Sequence, residues 1–211
     1  GTTIFTKMSK LAHQYQAINL SQGFPNFSPD KKLISLATQA LEDDYNQYAP
    51  LAGKYSLRKI LTDKVYQLYK RRIDPEKEIT MTAGATQAVF TAVAAMIHPG
   101  DEVIMFKPAY DCYEPAIDLN GGVTKVFQMK PPHYAIDWNA VEDLITDKTK
   151  LILLNSPHNP TGKVLHQADI DALTQLVEKY PQLYILSDEV YEHMTFDDQP
   201  HLSVLQFPKL A

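Results

Sequence analysis

The 211 residues hold a single cysteine, Cys112, which has no partner for an internal disulfide or for a cysteine-based zinc site. No apolar run approaches the roughly 20 residues that a membrane-crossing helix needs. The N-terminus lacks a basic stretch followed by an apolar one, so secretion is not expected and the cytoplasm is the expected compartment. Blocks of like charge are also missing. Twenty basic and 25 acidic residues are interspersed to a net charge of −5, and without a basic stripe a nucleic-acid surface is not expected. Three catalytic signatures are absent: G-x-S-x-G, G-x-x-x-x-G-K-[ST], and G-x-G-x-x-G after a strand. A hydrolase elbow, a P-loop and a dinucleotide fingerprint therefore have no support. His158, His166 and His193 lack metal-ligand spacing, so no metal is expected. There is no internal repeat, and the 14 prolines are scattered.

What is present suits a globular protein: 45% hydrophobic and 21% charged residues on a chain long enough to bury a core. Residues 1–50 read as an arm, with a helix over 6–15, an extended turn around 19–25 and a second helix over 31–42. Residues 51–211 are more regular. Leu57, Ile60, Leu61, Val65 and Leu68 recur at helical spacing. Strands are expected at 79–82, 103–106, 123–127, 151–154 and 184–186, with helices over 86–97 and 168–180. The runs at 151–154 and 184–186 are continuously apolar, as in strands buried on both faces. This alternation predicts an α/β domain with a mainly parallel sheet.

In such a sheet, functional groups gather just past the carboxyl ends of the strands. Gly84-Ala85-Thr86 sits where a strand turns into a helix, either as a simple tight turn or as a cradle whose free N–H groups attract a phosphate. Tyr110 follows another strand end, where it packs or stacks on a flat ring. Asn155 through Gly162 is rich in turn formers, and the Asn159 amide either belongs to a polar turn or is aimed into a site. Asp188 closes an apolar strand, a costly place for a carboxylate without a cation. It either caps or salt-bridges, or holds a protonated ring nitrogen of a cofactor, with Tyr191 facing the same cavity. Cys112 has no activating context and reads as a small residue near the site.

Five stretches together resemble the fold-type I pyridoxal-phosphate aminotransferases, in the branch that contains the methionine and kynurenine enzymes. They are Asn19-Leu20-Ser21-Gln22-Gly23-Phe24-Pro25, Asn46-Gln47-Tyr48-Ala49-Pro50 with Gly53, Thr82-Ala83-Gly84-Ala85-Thr86, Asn159-Pro160-Thr161-Gly162 and Ser187-Asp188-Glu189-Val190-Tyr191. The resemblance implies a three-layer α/β/α cofactor domain over 51–211, incomplete at its C-terminus. Residues 1–50 then form an arm with part of a small domain and a dimer contact. It implies pyridoxal 5'-phosphate held by Ala85 and Thr86 at its phosphate, by Tyr110 on its ring, by Asn159 and Tyr191 at its phenolic oxygen and by Asp188 at its ring nitrogen. Tyr48 would reach the phosphate of the other subunit of a homodimer with shared active sites. Gly23, Phe24 and Asn159 would meet the substrate. The implied reaction moves an amino group from a sulfur-containing or aromatic amino acid to a 2-oxo acid. A carbon–sulfur β-lyase of the same fold and a non-catalytic fragment are the alternatives.

In two respects the chain departs from that family. The Schiff-base lysine expected some tens of residues after Asp188 has no counterpart in the 23 positions that follow it. Lys107 and Lys163 have no family precedent in that role. The arginine that clamps the substrate carboxylate also has no counterpart, since Arg58, Arg71 and Arg72 all read as surface residues. The chain is therefore expected to be an N-terminal fragment, without catalysis of its own.

Overall fold

The apolar runs of the second part of the chain form a four-stranded parallel sheet of β1 (Glu102–Lys107), β2 (Val123–Gln128), β3 (Thr149–Asn155) and β4 (Tyr184–Asp188), in the order β2-β1-β3-β4. The computed structural model describes residues 3–23 and 25–211, and the chain divides into two compact units, Gly1–Pro50 and Leu51–Ala211. The first unit has two helices, α1 (Ile4–Gln14) and α2 (Lys31–Glu42). Each begins at a side-chain cap: Thr3 accepts from the Thr6 N–H at 3.2 Å and Asp30 from the Lys32 N–H at 2.7 Å. Between the helices, Asn19 accepts from the Ser21 N–H at 3.0 Å and donates to Ser9 at 3.1 Å, which ties the turn to α1. No described residue of this unit is buried.

The second unit runs α3 (Tyr55–Tyr69), α4 (Ala85–Met96), β1 (Glu102–Lys107), α5 (Tyr113–Leu119), β2 (Val123–Gln128), α6 (Trp138–Glu142), β3 (Thr149–Asn155), α7 (Gln167–Lys179) and β4 (Tyr184–Asp188), then a 3₁₀ turn at Val204–Gln206. Alternate residues of the two central strands point to opposite faces. Val103, Met105, Leu151 and Leu153 pack on Val89 and Val93 of α4 and on Tyr113, Ala116 and Ile117 of α5. Ile104, Phe106, Ile152 and Leu154 pack on Val141 of α6 and on Ile170, Leu173 and Leu176 of α7. Each such side chain contributes about 1.5–3 kcal/mol on leaving water. Helices thus cover both faces, giving the three expected layers. From β1 the chain passes through α5 to one edge, and from β3 through α7, on the other face, to the other edge. The two routes diverge between β1 and β3, which opens a crevice at their carboxyl ends.

Three expectations are corrected. Residues 79–82 form no strand, because a strand needs a hydrogen-bonded neighbour and none is present among the described residues; Met81 instead donates to the Ala52 carbonyl at 3.1 Å. Ile79 and Ile185 line one groove of about 480 Å³ without forming a ladder. Strand β4 is not buried on both faces, since it pairs only with β3 and Tyr184 is exposed. Arg58 is not a surface residue: it is buried, with its guanidinium donating to the carbonyls of Gly53 and Pro75. Gly53 has φ +92°, and a Cβ there would lie 2.3 Å from the Met81 side chain, so both backbone angle and space require glycine. No helix among the described residues is long and apolar enough to cross a membrane.

Candidate active site

Six residues named from the strand ends, Ala85, Thr86, Tyr110, Asn159, Asp188 and Tyr191, line one cleft of about 250 Å³. Tyr113, Asn155 and Val190 complete its wall.

Asp188 ends β4, opposite Asn155 of β3 in the sheet register. Its carboxylate accepts from the Tyr113 hydroxyl at 2.7 Å and from the Val190 N–H at 3.2 Å. Its backbone carbonyl accepts from the Asn155 amide at 2.9 Å and from the Ser156 N–H at 3.1 Å. Among the described residues no lysine, arginine or histidine pairs with it. A carboxylate keeps about four lone-pair directions, so Asp188 has room for a cationic N–H from inside the cleft.

At the other wall the cleft meets the start of α4. Gly84, at φ +88°, makes the turn into the helix in the left-handed region that glycine tolerates. The Gln87 side chain reaches back to the Ala83 N–H. No side chain caps the helix from Gly84. The first-turn N–H groups at Ala85 and Thr86, next to the cleft, favour an anion.

The loops between are braced by His158, which is buried. Its Nδ1 pairs with Thr161 Oγ1 at 2.8 Å, and the ring also bonds the Pro108 carbonyl. It thereby links the loop of Asn159 to the loop that leads to Tyr110. Burial lowers the imidazole below its ordinary value despite the Pro108 bond, which favours the neutral ring. Asn155 Oδ1 accepts from the Asn159 N–H at 2.7 Å, so one side chain holds Asn159 and Asp188 together.

Two further carboxylates fix the turn that carries Tyr191. Glu189 accepts from Ser187 at 2.8 Å, His201 at 2.9 Å and the Val204 N–H at 3.1 Å. Burial pushes its pKa up, but the bonds from His201, Ser203, Ser187 and Val204 outweigh that and hold it below the ordinary carboxylate value. Glu192 accepts from Lys64 and Tyr69 of α3. The thiol of Cys112 lies beside Thr86 and Asp188, and burial pushes it above the ordinary thiol value, which leaves it a poor nucleophile.

Gly23 and Tyr48 belong to the first unit, where both are exposed, and Phe24 lies outside the described residues. Lys107 pairs with Glu114 at 2.7 Å. Lys163 lines a separate cavity of about 20 Å³ with Asn155 and His158. Among the described residues no group of three histidine, cysteine or carboxylate side chains could hold a metal ion. Sequence reasoning missed Tyr113, and its signal was its position three residues after Tyr110, across the short turn into α5.

The sequence pattern described as aminotransferase class I and II matches residues 15–209. Methionine aminotransferase of Escherichia coli is 47% identical over 210 residues, covering 100% of this chain and 54% of its own length. Human kynurenine–oxoglutarate transaminase 3 is 38% identical over 219 residues, covering 98% of this chain and 48% of its own. The crystal structure of an Escherichia coli protein with a methionine aminotransferase function superposes with a TM-score of 0.95 at 47% identity, over 100% of this chain and 55% of that one. The chain spans about half the length of the curated relatives it matches. On its fold, its strand-end residues and a pattern match running nearly end to end, the chain belongs to the class I and II aminotransferases.

Proposed function

We propose that the full-length protein is an aminotransferase that moves the amino group of a methionine-like or aromatic amino acid to a 2-oxo acid. One observation carries the reading: an ionisable group without a cation, Asp188, shares a cleft with the open N-terminus of α4. Such a cleft suits a ligand with a cationic ring nitrogen at one end and a phosphate at the other. Pyridoxal phosphate, the cofactor of this family, has both.

In this reading the Ala85 and Thr86 amides hold the phosphate and Asp188 pairs with the ring nitrogen. Tyr110 lies against the ring, and Asn159 and Tyr191 donate to the phenolic oxygen. When bound, the cofactor supplies an electron sink for the substrate carbon that gives up its α-proton. The protein's share is to hold charge of the right sign at both ends of that sink and to exclude water from between them. Gly23 and Phe24 would line the substrate, and Tyr48 would act from the second subunit of a homodimer. None of the residues that line the cleft is a lysine, so the lysine that would bond the cofactor is not among them. The likeness to the Escherichia coli methionine enzyme supports a sulfur-containing donor.

The test is an amino-transfer assay of the purified full-length protein with methionine, kynurenine, phenylalanine and aspartate against a panel of 2-oxo acids. Methionine should give the highest turnover. Transfer restricted to aspartate would remove the substrate assignment. Release of ammonia and pyruvate from cysteine conjugates, without amino transfer, would favour the lyase instead.

A further inference from the structure

Tyr113 is the cleft residue that none of the strand-end motifs accounts for. It opens α5, is only 3% exposed, and packs edge-on against Tyr110 with ring centroids 5.9 Å apart. A buried hydroxyl needs an acceptor, and this one is aimed at Asp188 Oδ2, at 2.7 Å. With the Val190 N–H on Oδ1 and the Asn155 amide and Ser156 N–H on the main-chain carbonyl, the Asp188 carboxylate is oriented before any ligand arrives. The titratable groups that face the phenol are Asp188, Cys112 and Tyr110, and none is a cation. Burial, then the bond to Asp188, push its ionisation far above that of an ordinary tyrosine, so it remains a donor.

We infer that Tyr113 is a positioning residue whose hydrogen bond occupies and orients the Asp188 carboxylate, and so keeps the proton shared by Asp188 and the cofactor on the ring nitrogen. The inference rests on Asp188 being the ring-nitrogen partner. A hydrogen bond donated to a carboxylate favours its charged form. Without that bond the carboxylate is more basic and draws the shared proton off the ring. One bond to a charged group changes the proton distribution by about tenfold.

The experiment loads the full-length protein with pyridoxal phosphate labelled with ¹⁵N in the ring, and reads the ring-nitrogen shift and the low-field signal of the shared proton by NMR. Wild type should show a protonated ring nitrogen. Tyr113→Phe keeps the ring packing and loses only the hydroxyl, so the signal should move toward the unprotonated value by about a tenfold change in proton ratio. A folded Tyr113→Phe protein with the wild-type signal overturns the role of Tyr113. Placing 3-fluorotyrosine at position 113 keeps the hydroxyl and strengthens its donation, so the signal should move the opposite way. An unmoved signal there overturns the role even if Tyr113→Phe does not fold. An unprotonated ring nitrogen in wild type overturns the Asp188 assignment as well, so the two failures are distinguishable.

Discussion

Helices α2 and α7 are written in the same code, apolar residues at helical spacing among polar ones, yet they end in opposite environments. In α7, Ile170, Leu173 and Leu176 are at most 4% exposed, whereas in α2 Leu33, Ile34 and Leu41 are each at least 49% exposed. The contrast extends to the two units: the second has a core on each face of its sheet, and the first buries no described residue. Periodicity states that a helix has a face to bury. It does not state what covers that face. For α7 the cover is β1 and β3, supplied by the same unit.

The sharpest way to test this division of labour is at the cleft, whose lining residues belong to the second unit. In the full-length protein, Asp188→Ala should lower transamination by at least about a hundredfold while circular dichroism shows an intact fold. Near-normal turnover would end the ring-nitrogen assignment. Next in size is a direct comparison of the two helices. Leu173→Ala should destabilise by about 2–5 kcal/mol in urea unfolding, because it leaves a cavity between α7 and the sheet. Leu33→Ala in the 211-residue chain should change stability by no more than about 0.5 kcal/mol. If the α2 change becomes costly in the full-length protein, the exposed face of the first unit is covered there.

A third experiment joins the two units through the proposed dimer. Full-length Tyr48→Phe protein is mixed with full-length Asp188→Ala protein. If Tyr48 acts across a two-fold interface, each mixed dimer has one site with both lesions and one with neither. Random mixing should then restore about a quarter of wild-type sites. No recovery despite proven exchange of subunits counts against a shared site. The smallest effect concerns acid. Glu189 has a folded pKa held below its ordinary value of 4.5, so its contribution is complete above that value. It is lost as pH falls below 4.5 through the lower, folded value. Glu189→Gln should lower stability by about 1 kcal/mol at neutral pH and flatten the acid limb, so that the two proteins converge as pH falls.

The legible parts of the molecule were those where one residue type has one physical option. The unbroken apolar run of β3 had to be buried on both faces, and the polar groups past the strand ends had to line the crevice at the carboxyl edge of the sheet. Less legible were features that depend on a partner distant in sequence. Residues 79–82 have strand composition, but a ladder needs a second strand. Arg58 looks like any exposed arginine until its acceptors, the Gly53 and Pro75 carbonyls, are in place. Tyr113 went unnoticed because the carboxylate that accepts its hydrogen bond is 75 residues away in the chain. Strand β4 carried the right composition and the wrong inference about burial, because composition does not reveal whether a strand is the last of its sheet.

In the 211-residue chain that outermost position has a kinetic consequence. Asp188 sits on a strand held by a ladder on one side only, while Asn155 ends, and Tyr110 and Asn159 follow, central strands held on both sides. Amide protons of β4 that point away from β3 should exchange with solvent well before those of β1 and β3. A ligand that joins the start of α4 to Asp188 would link an edge strand of the sheet to a helix packed on its core. By mass action it should slow exchange most at the residues that bind it least rigidly when empty. Occupancy of the cleft would thus be written in the exchange of a sheet edge, at backbone amides that never touch the ligand.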